Sequence, residues 1–296
     1  MKLQKPHRDS GDRSPVIRDV PAVTRALKIL RFLARSRHPM GVAPLARELG
    51  MIPSTCLHIV RVLLDNGMLN FNAQSKRYSL GPGVVALATA YSQLNPLVQA
   101  AHSHMQVLSR MHDCAFAAIE ESGPDHYIVV AATEPSPGLS IRLSLGSRFP
   151  ILISAAGLCF AAFNDMTPAQ LKNGFAKLRS DNLPVFASWL KQVERVRATG
   201  YAVDQGQYMR GLAVIAVPIF RDGGHMMGAL CAVGLCEQLS GARILALSTS
   251  LRQAVRDMSR EMDGDAFIDR PVDRDGGSGP VKMAHRRRKG TDPGCG

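Results

Sequence analysis

The chain has 296 residues, of which 46% are hydrophobic and 20% charged, and a formal net charge of +12. It is long enough for two separate cores and reads as globular. No apolar run reaches the roughly 18 residues of a bilayer-spanning helix, and the polar start MKLQKPHRDSGDRSP lacks the apolar stretch of a secretory signal. A cytoplasmic location is therefore expected, and a membrane partner is not.

Residues 1–20 are expected to form a flexible arm. From 23 to 36, Val23, Ala26, Leu27, Leu30 and Leu33 recur at helical spacing with basic residues opposite. A second helix is expected over about 43–49, with Pro44 in its first turn and Gly50 just past its end. A third opens on Pro53, Ser54 and Thr55, buries Cys56, Ile59, Val60 and Leu63 or Leu64, and stops at Gly67. Two extended stretches, 68–71 and 77–80, then flank a polar turn at Asn72 to Lys76.

Three helices followed by a hairpin is the order of a winged helix-turn-helix, here spanning 21–82. In that arrangement the third helix enters the major groove and the hairpin tip lies by the phosphates. The side chains expected to face DNA are Ser54, Thr55, Leu57, His58 and Arg61, with Arg25, Lys76 and Arg77 on phosphates. The charge agrees. Residues 20–84 hold nine basic residues against Glu48 and Asp65, whereas residues 85–263 are nearly balanced, as when one domain alone meets a polyanion.

Helical spacing resumes over 83–112, broken at Asn95-Pro96, and is read as a helical linker. Beyond it, residues 113–263 are read as a second domain. Strands are expected at 114–120 and 126–133 around the turn ESGPD, with extended pieces near 139–143 and 148–153. Helices follow at 156–163, 168–178 and 187–199, strands at 212–220 and 226–235 around RDGG, and a closing helix at 241–262. This mixed order indicates an α+β domain with a mostly antiparallel sheet. The small residues Ser154, Ala155, Ala156 and Gly157 stand at a strand-to-helix junction, where backbone N–H groups either hold a carboxylate or allow close packing. Residues 264–296, rich in Gly, Asp and Arg, are expected to be a disordered basic tail.

Of the six cysteines, no two are spaced as zinc ligands, and neither a metal nor a cofactor is expected. Most lie in apolar runs and are read as reduced core thiols, with a Cys231–Cys236 redox pair as a secondary idea. A rival reading makes Cys159 or Cys231 the nucleophile of an enzyme with a histidine base; no nucleophile-elbow, zinc or P-loop motif supports it. Another rival is a ligand sensor without DNA binding, against which the basic first domain argues.

Several segments together carry a resemblance. AVTRALKILRFLA, LARELGM followed by PSTCLHIVRVLLDNGML, and KRYSLGPG resemble the DNA-binding domain of the IclR family of transcriptional regulators, and His58 stands where that family often has Arg. GSRFPILISAAGL and GYAVDQGQYMRGLAVIAVPIF resemble its effector-domain segments, so that the likeness covers residues 21 to 262. It implies an N-terminal winged helix-turn-helix, a helical linker and a C-terminal GAF-like effector domain with an antiparallel sheet. The implied function is a regulator, a repressor rather than an activator, whose binding to a partly palindromic double-stranded DNA operator is modulated by a small organic acid. A homodimer or dimer of dimers is implied, and one wing and one helix cover too few base pairs to be specific alone.

By the same resemblance Ile141, Phe149, Ala155, Ala156, Asp204, Val214, Cys231 and Val233 line the effector pocket. Asp204 accepts a hydrogen bond from a ligand hydroxyl or caps a turn. Departures from the family pattern are Gln207, Val214, Arg221 and Leu158. Val214, Cys231 and Val233 are less polar than in relatives that bind small oxo-acids, which indicates a larger aromatic or branched acid.

Overall fold

The computed structural model describes residues 20–133, 143–180, 182–221 and 224–263. The arm before residue 20, the tail from residue 264, Cys295, Ile141 and most of the extended piece at 139–143 lie outside the described residues. The chain divides into two compact units between Asn95 and Pro96.

The first unit contains α1 (Pro21–Arg35), α2 (Val42–Glu48), α3 (Pro53–Asp65), β1 (Leu69–Asn72), β2 (Arg77–Leu80) and α4 (Gly83–Leu94). Pro21 and Pro53 occupy first-turn positions, where the missing N–H has no intrahelical acceptor to lose. Ile29, Leu33, Leu45, Ala46, Cys56, Val60, Leu69 and Tyr78 form the core. The buried stripe of α1 is therefore displaced from the expected one. Ile29 and Leu33 are inside and Leu30 and Phe32 pack against them, while Val23 and Leu27 are 57% and 43% exposed. The helix is apolar on overlapping faces, and periodicity alone does not say which face is covered.

The hairpin β1–β2 is antiparallel, with Phe71 opposite Tyr78 and Asn72 opposite Arg77. Met40 adds a further bridge to Tyr78: each backbone N–H donates to the other's carbonyl, at 2.9 and 2.7 Å. At the tip, Asn72 Oδ1 accepts from the Ser75 N–H and hydroxyl. Lys76 closes the loop in the left-handed region with φ 53°, matching the strand twist.

The second unit contains α5 (Pro96–Met111), β3 (Ala115–Glu121), β4 (His126–Ala132), β5 (Arg148–Pro150), α6 (Ser154–Phe163), α7 (Pro168–Ala176), α8 (Phe186–Thr199), β6 (Ala202–Gln205), β7 (Leu212–Phe220), β8 (Met226–Leu235) and α9 (Gly241–Asp263). The strands form one antiparallel sheet in the order β5-β4-β3-β8-β7-β6. On one face Ala117, Ile119, Ala216 and Cys231 pack beneath α6, α7 and α8 through Phe160, Leu171 and Trp189. On the other, Phe116, Ile215, Leu230 and Ala232 pack beneath α5 and α9 through Leu97, Met105, Leu251 and Met258. Burial on both faces explains why β7 and β8 read as continuous apolar runs rather than alternating ones.

Two further features depart from the sequence reading. β6 is an additional four-residue edge strand, and α5 buries Leu97, Val98, Ala100, Ala101, Met105 and Leu108 in the second core. α5 is thus part of that unit, whereas α4 buries none of its residues. Among the described residues no helix is long and apolar enough to cross a membrane.

Candidate functional site

Two sites follow from this architecture, one on each unit. The first is built on α3. Gly50 takes the left-handed conformation (φ 62°) that ends α2, Met51 N–H donates back to Ala46 O at 2.8 Å, and Pro53 starts α3. Cys56 and Val60 anchor the helix in the core, so Ser54, His58 and Arg61 are exposed and Thr55 is half-buried. Leu57 departs from the expected outward set. It is half-buried and packs against the core, because it lies next to Cys56 and three residues before Val60, on the flank of the buried stripe.

Arg25, Lys76 and Arg77 are exposed as expected. Among the described residues none of Arg25, His58, Arg61, Lys76 and Arg77 has an ion-pair partner. The arginines and Lys76 are left to solvent or to an external anion. Sequence reasoning passed over Ile52, which is 70% exposed directly before α3. An apolar residue preceding a Pro-initiated helix is the only sequence signal it gives.

The second site lies on the α6 side of the sheet. Strand register sets Asp204 opposite Val214, Val214 opposite Val233, and Val233 opposite Ala115. The neighbouring row is Ala202, Ala216, Cys231 and Ala117. The sheet thus brings the sequence-predicted Asp204, Val214, Cys231 and Val233 onto two adjacent rows of one face.

Above this floor α6 begins at Ser154, whose backbone is in the left-handed region (φ 60°). Its buried hydroxyl completes no hydrogen bond and lies beside the Asp204 carboxylate, whose charged form it favours. Ala155, Ala156 and Gly157 are buried in the first turn, where amides have no intrahelical acceptor of their own until Gly157 N–H reaches Ile153 O at 2.9 Å. Gly157 also serves packing: a Cβ there would run into the Leu152 backbone.

Phe149 stacks on Tyr127 with ring centroids 5.5 Å apart and meets Tyr208 edge-on at 6.1 Å. Tyr127 stacks in turn on Phe160 and donates its hydroxyl to Ile153 O at 3.4 Å, at the head of α6. Tyr127 and Tyr208 are aromatic neighbours of the site that periodicity could not reveal, since long-range register places them there.

Asp204 is 1% exposed. Its carboxylate accepts from Gln207 N–H at 2.7 Å and Tyr208 N–H at 3.2 Å, so it caps the turn after β6. Burial pushes its pKa up, and the Ser154 hydroxyl and these two amides offset part of the rise.

The thiols are unsuited to nucleophilic chemistry. Burial pushes Cys159 well above the usual thiol range and Cys231 up to about 12, whereas a reactive cysteine needs a lowered value. Cys231 packs on the α6 side and Cys236 on the α9 side, five residues of roughly extended chain apart, about 16 Å. That exceeds disulfide reach and removes the proposed redox pair.

Comparison with known proteins gives a consistent result. The sequence profile described as IclR helix-turn-helix domain matches residues 22–73, and that described as Bacterial transcriptional regulator IclR C-terminal matches residues 89–260. The chain is 26% identical over 255 residues to the glycerol operon regulatory protein of Streptomyces griseus, covering 84% of this chain and 99% of that one. It is 24% identical over 253 residues to the HTH-type transcriptional repressor AllR of Escherichia coli (strain K12), covering 84% and 93%. In fold it is similar to an IclR homolog from Microbacterium hydrocarbonoxydans solved in complex with 4-hydroxybenzoate, with a TM-score of 0.69, 18% identity, and 82% and 100% of the two chains covered. With the two profiles matched in order along its two units, the chain belongs to the IclR family of bacterial transcriptional regulators.

Proposed function

We propose that the protein is a ligand-responsive repressor that reads its operator with α3 and holds the flanking phosphates with Arg25, Lys76 and Arg77. Ser54, Thr55, His58 and Arg61 carry the contacts of α3 to bases or nearby phosphates. Free cations beside an exposed helix face support this reading, because phosphate contacts position a protein and base-edge contacts specify the sequence. The E. coli relative is named a repressor, which supports that direction of control.

The effector is proposed to be an aromatic or branched organic acid. The observation that carries this is the cross-strand row Asp204–Val214–Val233 with Cys231 beside it: a floor of one buried acid and apolar side chains, flanked by Phe149, Tyr127 and Tyr208. The 4-hydroxybenzoate bound to the Microbacterium relative is of this class. The amides of Ser154, Ala155 and Ala156 face the ligand's carboxylate, and Asp204 its hydroxyl. An effector changes DNA affinity only if it binds one arrangement of the protein better than another, and the connection from α4 through Asn95 to α5 is the proposed coupling element.

Self-association is proposed to run through α1 and α4. α4 has no charged residue and leaves Val85, Leu87, Tyr91 and Leu94 exposed, and α1 leaves Val23 and Leu27 exposed, with Val20 exposed just before it. Apolar surface of this kind is the mark of a partner interface, and a dimer presents two reading helices to two half-sites.

The test is a titration of the protein on DNA from its own upstream region with 4-hydroxybenzoate, benzoate, a branched-chain acid, glyoxylate and pyruvate. Release by aromatic or branched acids alone is expected. Release only by glyoxylate or pyruvate contradicts the assignment.

A further inference from the structure

Ile52 stands in extended backbone (φ −66°, ψ 130°) as the residue that caps α3. Its carbonyl accepts the Cys56 N–H at 3.0 Å, and Pro53 behind it confines it to that conformation. Met51, one residue earlier, packs against the core. Successive side chains of extended backbone point in opposite directions, so Ile52 is directed outward and is 70% exposed. The backbone fixes this placement from both sides, through Gly50 in the left-handed region and through the first turn of α3. A β-branched side chain has little χ1 freedom of its own. The result is a rigid apolar group at the N-terminal end of α3, next to the exposed Ser54, His58 and Arg61, whereas the other exposed large apolar side chain of the helix, Val62, lies toward its C-terminal end.

We propose that Ile52 is a base-reading residue that packs on the C5-methyl group of a thymine in the major groove. The proposal rests on the assignment of α3 as the groove-reading helix. Thymine is the base that presents an apolar group in that groove, and apolar side chains recognise it there. The cations of this unit identify the occupant as DNA: Arg25, Lys76 and Arg77 are exposed and without ion-pair partners among the described residues. Hydrophobic contact with a methyl group needs no hydrogen-bond geometry, so Ile52 contributes discrimination that His58 and Arg61 do not duplicate.

The experiment uses the full chain and a DNA site selected by it from a random-sequence pool. Each thymine of the site is replaced singly by deoxyuridine, which removes the methyl group and leaves the pairing edge intact. Wild type is expected to bind roughly fourfold more weakly at one thymine per half-site, the effect of one buried methyl group. Ile52→Ala is expected to bind the thymine and uracil forms of that position equally, while its preference at other positions is kept. Loss of affinity at no uracil position, or full discrimination retained by Ile52→Ala, overturns the proposal. His58→Ala and Arg61→Ala serve as the separate check on α3. If neither alters the selected sequence, α3 is not the reading helix, and the Ile52 contact falls with it.

Discussion

Asp204 on β6 and Val214 on β7 stand opposite each other at the edge of the sheet, so a buried carboxylate borders an apolar floor. This juxtaposition bears on the stability of the second unit and, in the proposed effector site, on the ligand it would take.

The first consequence is a pH dependence. Burial holds the Asp204 carboxyl above the usual carboxylate range, with partial relief from Ser154, Gln207 and Tyr208. The native state therefore binds this proton more tightly than the unfolded chain. The contribution of Asp204 to stability is fullest below the unfolded value and is lost as pH rises through the folded value. Relative to Asp204→Asn, the wild type is expected to lose stability as pH is raised from about 4 toward neutrality. Urea unfolding of both proteins at several pH values measures it; a difference that stays constant over that range contradicts the expectation.

The second consequence concerns the ligand. Val214→Ser places a hydroxyl on the floor between Asp204 and Val233. Affinity for an aromatic acid should fall by about tenfold, in keeping with about 1–2 kcal/mol for lost apolar contact and an added polar group, and affinity for glyoxylate should not fall. Calorimetric titration of the two acids against both proteins reads this directly.

Gly157 defines how closely α6 sits on the chain before it. A Cβ at this position meets the Leu152 backbone, which cannot yield as a flexible side chain would. Gly157→Ala is expected to destabilise the second unit by about 1–3 kcal/mol, the usual cost of overpacking. The loss should appear in the thermal unfolding transition of that unit while nonspecific DNA binding is unchanged.

The wing makes a prediction about salt. Lys76 and Arg77 at the hairpin tip are exposed, and each phosphate they neutralise releases counterions on binding. Lys76→Ala with Arg77→Ala should reduce the slope of log affinity against log salt by about 2 and weaken all DNA sequences alike. A slope equal to that of the parent protein would remove the wing from the interface.

How much of this was legible in the sequence varied with the kind of information required. The three helices and the hairpin were visible because Gly50, Pro53 and Gly67 punctuate them and Cys56, Ile59 and Val60 mark one face. The covered face of α1 was not, since Val23 and Leu27 share the helical period of Ile29 and Leu33, and only tertiary packing distinguishes them. β6 escaped notice because four residues give too short an alternation to read. Leu57 was misplaced by a fraction of a helical turn. Of the second site, Asp204, Val214, Cys231 and Val233 came from resemblance, and what sets them on adjacent rows is strand register, which no local pattern encodes. Tyr127 and Tyr208 enter the site for the same long-range reason.

The central claim is sequence-specific regulation of transcription, and the most direct measurement is binding of the purified protein to DNA from its own upstream region and to unrelated DNA of equal length, at two salt concentrations. The account predicts a preference for the upstream fragment that persists at the higher salt, because base contacts from α3 do not depend on counterion release. Equal and steeply salt-sensitive binding to both fragments would contradict it, leaving only a basic surface on a polyanion.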